Sequence, residues 1–123
     1  MVKRYDSTKI NDLIYNIYQA YGFSDAQSHQ VADMLVYTDL HGIESHGVQR
    51  LVMYDHFIQN GKIRVNSKPK IVKETDVSAV VDAHFGLGQL NGIYSMNIAI
   101  QKAQKHGIGI VTTRNSGHYG IAG

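Results

Sequence analysis

The residues near the C-terminal end of the chain have the types and spacing of a loop that transfers protons. His118 stands between Gly117 and Gly120, in the segment that follows residues 108–113, and five of those six residues are β-branched and predict a strand. A histidine titrates near neutral pH, so it can act as acid and base when a carbonyl and an alcohol interconvert. Asn115 and Ser116 could hydrogen-bond its ring or a substrate oxygen. A loop histidine with a purely structural role fits the same pattern equally well.

A second group of chemically capable residues lies in the first half of the chain. His46, Arg50 and Tyr54 follow one another at intervals of four, so on a continuous helix they share one face. The planar fork of an arginine donates two parallel hydrogen bonds to a carboxylate. A surface arginine beside a partly buried tyrosine is the alternative, and spacing alone favours it. The residues predicted to dock the other side of this helix are Val48, Leu51, Val52 and Ile58.

Two other kinds of site find little support. The chain has seven histidines, but none falls in a His-Glu-x-x-His or similar spacing, so no metal site is predicted. The segment Gly86–Gly92 lies between a predicted strand and a predicted helix, as a dinucleotide fingerprint does, yet its third glycine comes one residue late. These glycines could instead let the backbone approach a substrate or a partner strand.

Composition narrows the class of protein. The 123 residues suit one modest domain, and 43% apolar with 18% charged residues is a globular composition. The absence of cysteine excludes disulfides and thiolate chemistry and agrees with a cytoplasmic protein. The net charge of +2 comes from cations scattered along the chain, so nucleic-acid binding is not expected. No window is apolar enough to predict a membrane span.

Three helices are predicted in the first half of the chain. The first is capped by Ser7 and stopped by Gly22, where a left-handed residue would end it. The second opens with a capping box that starts at Ser24, and it ends near Gly42. The third is predicted to run without a break over residues 45–59.

The second half of the chain is predicted to be mixed. A polar connector leads to short strands at 71–72 and 78–82, then to a helix over 91–106 and the strand at 108–113. The predicted fold is therefore α/β, with N-terminal helices (residues 1–61) packed on a small mixed sheet (residues 62–123). The last strand is apolar enough to be buried on both faces, yet little of this chain remains to cover it. An exposed apolar patch or a subunit contact is therefore predicted there. The residues predicted on the buried side of the helix are Ile93, Ala99, Ile100 and Ala103.

Two segments taken together resemble the malate/L-lactate dehydrogenase family, a non-Rossmann group that also includes ureidoglycolate, sulfolactate and diketogulonate oxidoreductases. They are Asp39-Leu-His-Gly-Ile-Glu-Ser-His-Gly-Val-Gln-Arg-Leu51 and Asn115-Ser-Gly-His-Tyr-Gly-Ile-Ala-Gly123. The patterns S-H-G-x-x-R and N-S-x-H-x-G-x-A-G in this order are specific, and the resemblance spans essentially the whole chain. It implies a non-Rossmann fold of which residues 62–123 are the incomplete start of a catalytic domain.

The resemblance also implies an activity and a set of roles. The reaction would be the NAD- or NADP-dependent oxidation of a small 2-hydroxy acid, or its reverse, in a homodimer. His118 would be the general acid–base, and Arg50 would bind the substrate carboxylate. Most cofactor contacts would lie beyond this chain, with Gly120 as the candidate within it. The further residues implied in the substrate site are Ser45, His46, Tyr54, Asn115 and Ser116.

Some positions depart from the family pattern. His41 and Glu44 stand where Arg and Asp are common, and Gly117 and Tyr119 stand where Asn and Phe are common. These residues lie between the proposed functional positions, so they concern the choice of substrate more than the chemistry. Family members also continue well past the His118 loop, which makes an incomplete and inactive chain the expectation.

A hypothesis of another class accounts for the same residues. The chain could be a non-catalytic small domain that binds a carboxylate ligand or a protein partner through the His46, Arg50 and Tyr54 face. Only the enzyme hypothesis requires Arg50 and His118 to converge on one pocket.

Overall fold

The described part of the chain forms four α-helices and a small mixed sheet. A computed structural model describes residues 3–121, so Ala122 and Gly123 of the second motif lie outside the described residues. Contacts divide the described chain into a helical unit (3–56 with 120–121) and an α/β unit (57–119). The boundary falls inside the third helix, a few residues before the predicted one. The elements are α1 (Ser7–Tyr21), α2 (Asp25–Leu40), α3 (Leu51–Gln59), β1 (Lys70–Glu74), β2 (Ser78–Asp82), α4 (Gly88–His106) and β3 (Ile110–Arg114).

The first two helices begin and end through local capping. Gly22 ends α1 in the left-handed conformation with φ 94°, and Ser24 forms a complete capping box with Gln27 at the start of α2, as predicted. The predicted cap at Ser7 is wrong. Asp6 has the extended backbone of an N-cap, and its carboxylate accepts a hydrogen bond of 3.0 Å from the Lys9 N–H.

The core of the helical unit is the interface of α1 and α2. Ile14 and Tyr18 from α1 are fully buried, as are Val31 and Leu35 from α2. Apolar burial of this kind is the main source of helix stability in proteins, because short isolated helices are marginal in water. The amphipathic pattern of α1 therefore predicts its packing face correctly.

The predicted continuous helix over residues 45–59 is wrong. Two 3₁₀ turns, Glu44–His46 and Val48–Arg50, precede α3, and Gly47 between them has φ −89° and ψ −141°. The Val48 N–H donates to the Asp39 carboxylate at 3.0 Å instead of to a carbonyl one turn back. A side chain contact from the preceding helix thus breaks the helical path.

The face of α3 also differs from the prediction. Val52 was expected to dock the helix but is 78% exposed, whereas Tyr54 is 1% exposed. The break at Gly47 changes the directions in which the side chains of α3 point around the helix axis. The tyrosine therefore points into the helical unit, where the sequence pattern assigns it to the opposite side.

The α/β unit is a hairpin followed by a crossover. β1 pairs with β2 antiparallel, and β2 pairs with β3 parallel, which gives the strand order β1-β2-β3. Helix α4 connects β2 to β3, as predicted, and Gly107 ends it with φ 85°. These elements form the predicted α/β fold with a mixed, non-Rossmann sheet.

Burial in the α/β unit departs from the predicted pattern. Helix α4 begins at Gly88 rather than near Asn91, and its buried residues include Asn91 and Ser95, whereas Ile100 is exposed. Strand β3, where an exposed apolar patch or a subunit contact is predicted, is mostly exposed in the described chain, and Ile110 at its start is 54% exposed. Within residues 3–121, no helix combines the length and apolarity that crossing a bilayer requires.

Candidate active site

The loop that carries His118 rests on the backbone at the start of α4. The Gly117 N–H donates to the Gly86 carbonyl oxygen at 3.1 Å. Gly88 lies so close to the loop that an added Cβ would stand 2.2 Å from the His118 carbonyl oxygen and 2.3 Å from that of Gly117. Gly88 thus permits a close backbone approach, and the backbone that approaches is that of the His118 loop rather than a substrate or a partner strand.

The same packing shows that the Gly86–Gly92 segment does not fit a nucleotide diphosphate. A phosphate loop needs open space and exposed N–H groups at the N-terminus of the following helix. Here the carbonyl oxygens of Gly117 and His118 fill the space beside Gly88, and both Gly88 and Gln89 are buried. Carbonyl oxygens in that place would repel a phosphate, so the prediction against a Rossmann loop agrees with the geometry.

At the carboxyl ends of β2 and β3, Asp82 joins the two loops that leave the sheet. Its Oδ1 accepts from the His84 N–H at 2.9 Å, its Oδ2 accepts from Arg114 Nε at 2.9 Å, and the Asn115 amide donates to both oxygens at 3.1 Å. The hydrogen bonds from His84 and then Asn115 lower the pKa of Asp82 to about 2, although burial acts in the opposite direction. The carboxylate is therefore charged throughout the neutral range.

Of this cluster, Asn115 belongs to the predicted site, whereas Asp82, His84 and Arg114 do not. The available signal was an acidic residue at the end of a predicted strand, because a carboxylate that becomes buried there needs hydrogen-bonding partners. Asp82 is 7% exposed and meets that requirement through both loops. Its two side-chain partners follow it by more than thirty positions, so local spacing does not reveal the cluster.

The predicted residues Asn115 and Ser116 shape the loop. Asn115 has a left-handed backbone with φ 53°, and its amide points to Asp82. The Ser116 hydroxyl accepts a hydrogen bond of 3.2 Å from the Asn91 amide and donates to the Gly117 carbonyl at 3.2 Å. These contacts give both residues a role in holding the loop. Their contact with a substrate stays a prediction.

In the helical unit, the 3₁₀ turns bring Ser45, His46 and Arg50 together. The Ser45 hydroxyl and His46 Nδ1 share a hydrogen bond of 2.8 Å, and Arg50 Nε donates to the Ser45 carbonyl at 2.5 Å. Arg50 Nη1 lies 3.9 Å from the Met53 sulfur. In the described helical unit, no carboxylate forms an ion pair with Arg50. The remaining guanidinium donors are thus suited to an anionic ligand.

Tyr54, also predicted in the substrate site, is buried. It lies in the interior of the helical unit, where burial and then the neighbouring Tyr54 raise the pKa of Tyr18. A pocket-lining role for Tyr54 stays a prediction. The described residues also contain no group of three or more His, Cys, Asp or Glu side chains arranged to hold a metal ion.

The candidate functional segments are thus the histidine loop packed on Gly88 in the α/β unit and the turn that carries Arg50 in the helical unit. The family model for malate/L-lactate dehydrogenases matches residues 5–123, and the chain belongs to this family. The fold and both motifs thus agree with the resemblance drawn from the sequence.

Individual relatives match the chain over nearly its whole length. It is 42% identical over 120 residues to the malate dehydrogenase of Pyrococcus horikoshii, covering 98% of this chain and 33% of the relative. It is 40% identical over 111 residues to the L-sulfolactate dehydrogenase of Methanocaldococcus jannaschii, covering 90% of this chain and 32% of the relative. The chain thus spans about a third of the length of these curated relatives.

Solved structures of malate dehydrogenases have the same fold over this part of the chain. The structure of the Pyrococcus horikoshii malate dehydrogenase superposes with a TM-score of 0.95 at 42% identity, covering 98% of this chain and 35% of that one. The malate dehydrogenase of Entamoeba histolytica superposes with a TM-score of 0.94 at 37% identity, covering 100% of this chain and 34% of that one.

Proposed function

We propose that the full-length protein containing this chain is an oxidoreductase that interconverts a small 2-hydroxy acid and its 2-oxo acid with NAD or NADP. The observation that carries the proposal is the His118 loop, which is seated on Gly88 and tied to the sheet through Asp82. Membership of the malate/L-lactate dehydrogenase family supports it. The substrate class we propose is the malate, lactate or ureidoglycolate type.

In this proposal His118 moves the proton of the substrate hydroxyl. During oxidation the imidazole accepts that proton as the carbonyl forms, and during reduction it returns the proton to the oxygen. A bound nicotinamide nucleotide would supply the acceptor or donor of the hydride. Proton transfer needs the imidazole within hydrogen-bond reach of the oxygen, so a loop held by backbone contacts suits the role.

Arg50 is proposed to bind the substrate carboxylate, with Ser45 and His46 beside it. The bond from Arg50 Nε to the Ser45 carbonyl fixes one edge of the guanidinium. A fixed guanidinium loses little freedom when it binds a carboxylate through two parallel hydrogen bonds, which makes binding tighter and more specific.

The alternative of a non-catalytic binding domain finds less support. It relies on His46, Arg50 and Tyr54 as one exposed face. Tyr54 is buried, and the break at Gly47 interrupts the helix on which the three residues would share a face. Arg50, with Ser45 and His46 beside it, would have to hold the partner.

We further propose a cytoplasmic homodimer in which Gly120 contributes backbone contacts to the cofactor. Gly120 has φ 91°, and no atom lies within 4 Å of the place where its Cβ would stand, so a flat ring has room to approach there. Light scattering on the full-length protein measures the oligomeric state, and nucleotide titration with NAD and NADP separates the two cofactors.

The test uses the full-length protein and follows nicotinamide absorbance with malate, lactate and ureidoglycolate in turn. His118→Asn should lower kcat by about 10²–10⁴-fold while nucleotide affinity stays unchanged. Arg50→Lys should chiefly raise KM for the acid, because lysine cannot form the bidentate pair. His106→Asn, at the exposed end of α4, is the matched control and should change neither value. Full turnover in His118→Asn would exclude the acid–base role.

A further inference from the structure

The loops that follow β2 and β3 stay paired beyond the sheet. Asp82 and Arg114 are partners in the last register position of the parallel ladder. After them, the Ala83 N–H donates to the Arg114 carbonyl at 3.0 Å, and the Phe85 N–H donates to the Asn115 carbonyl at 2.7 Å. The two loops therefore leave the sheet as one connected layer, and His118 lies at the far end of it.

The backbone of this layer has conformations that are unusual for residues with side chains. The three non-glycine residues with positive φ among the described residues all lie in it: His84 at 48°, Phe85 at 63° and Asn115 at 53°. Left-handed residues with side chains persist only where surrounding contacts determine them, and they cluster at functional sites. Asp82 bonds to the backbone of His84 and to the side chain of Asn115, so one carboxylate holds residues on both loops.

We propose that Asp82 is a positioning residue for His118. The inference rests on the proposed acid–base role of His118. By holding Asn115 in the left-handed conformation, Asp82 directs the chain through Ser116 onto the seat formed by Gly88. Asp82 acts through the loop: all of its recorded contacts are with His84, Arg114 and Asn115. It fixes where the imidazole stands rather than moving a proton itself.

The first experiment replaces the carboxylate by an amide of the same shape in the full-length protein. In Asp82→Asn one acceptor oxygen becomes an NH₂ group that faces N–H donors, so part of the hydrogen bonding from His84, Arg114 and Asn115 is lost. We expect kcat to fall by about tenfold or more, since small misplacements of reacting groups are costly, with KM for the nucleotide unchanged. Glu74→Gln is the matched control. It removes the 2.8 Å ion pair with Lys102 in the same unit and should leave kcat unchanged.

A double variant separates positioning from general damage. If Asp82 acts through His118, Asp82→Asn should lower kcat in the wild-type background and should cause no further loss in the His118→Asn background. Equal losses in both backgrounds, or wild-type kcat in Asp82→Asn alone, would overturn the positioning role. Retained turnover in His118→Asn would instead overturn the proposed function, so the two failures are distinguishable.

A second substitution covers the case in which Asp82→Asn does not fold, as judged by its thermal melting. Asn115→Gly keeps the freedom to adopt a positive φ but removes the amide that bonds to Asp82. It should lower kcat in the wild-type background and have no further effect in the His118→Asn background. Wild-type kcat in Asn115→Gly would then contradict the proposal.

Discussion

The two segments that carry the proposed functional residues are both fixed by an aspartate and a glycine, but in different ways. In the helical unit, Asp39 accepts a hydrogen bond from Val48, and its carboxylate fills the space beside Gly47, where an added Cβ would stand 1.7 Å from Oδ1. In the α/β unit, Asp82 accepts from both loops, while Gly88 packs on main-chain carbonyls. The glycine of the first segment packs against a side chain, and the glycine of the second packs against main-chain atoms.

This difference predicts how far each segment can adjust. A carboxylate at the end of a side chain can rotate away from a new atom, whereas backbone carbonyls held by other hydrogen bonds cannot. The His118 loop is thus the more rigid of the two. Such rigidity suits proton transfer, which depends steeply on distance, while an arginine that binds a carboxylate tolerates small shifts.

The largest expected effect comes from adding a methyl group to the backbone seat. Gly88→Ala places a Cβ in conflict with two carbonyl oxygens, so it should destabilise the full-length protein by about 3 kcal/mol and lower kcat. Gly92→Ala is the matched control in the same helix. No atom lies within 4 Å of its added Cβ, and it should stabilise by about 0.5–1 kcal/mol. Urea denaturation measures the stability of both variants. Equal midpoints would contradict the close packing of Gly88 on the His118 loop.

A smaller effect is expected from the glycine that faces a side chain. Gly47→Ala should cost about 1–2 kcal/mol, because the Asp39 carboxylate swings away and its bond to Val48 is lost. The activity change should appear in KM for the acid rather than in kcat. In an Asp39→Ala background the same substitution should cost much less, since the conflicting oxygen is gone. Strict additivity of the two substitutions would show that Gly47 meets something other than Asp39.

The third effect depends on pH and concerns the charge on Asp82. Its folded-state pKa of about 2 lies below the ordinary value of 3.8, so the carboxylate favours the folded state. This contribution is complete above the ordinary value and is lost as pH falls from about 4 to about 2. Urea midpoints of wild type and Asp82→Asn should therefore differ by a constant amount above pH 5 and converge below pH 4. A gap that persists at pH 2 would argue against the lowered pKa.

The elements that the sequence predicts well depend on neighbouring residues. Gly22 and Gly107 end helices through their own left-handed backbone, and Ser24 caps α2 within one turn. The turn between the predicted strands at 71–72 and 78–82 is likewise closed locally, by a hydrogen bond from the Thr75 N–H to the Ser78 carbonyl oxygen. Each of these needs only local chemistry.

The wrong predictions depend on contacts between distant residues. The broken third helix results from Asp39, which belongs to the preceding helix, and this break also reverses the assignment of Tyr54. On α4, the buried polar residues Asn91 and Ser95 bond to Ser116 and Thr113, which follow many positions later. A periodicity of apolar residues cannot reveal a helix face that is buried through hydrogen bonds.

The packing of the His118 loop on Gly88 distinguishes the positions that hold the loop from the position that can vary. Main-chain atoms of Gly86, Gly88 and Gly117 support its path, whereas the Tyr119 side chain beside the histidine is 51% exposed. A substitution at position 119 should therefore leave the path of the loop unchanged. If His118 moves the substrate proton as proposed, position 119 is a place where relatives can change their substrate preference while the histidine stays in place.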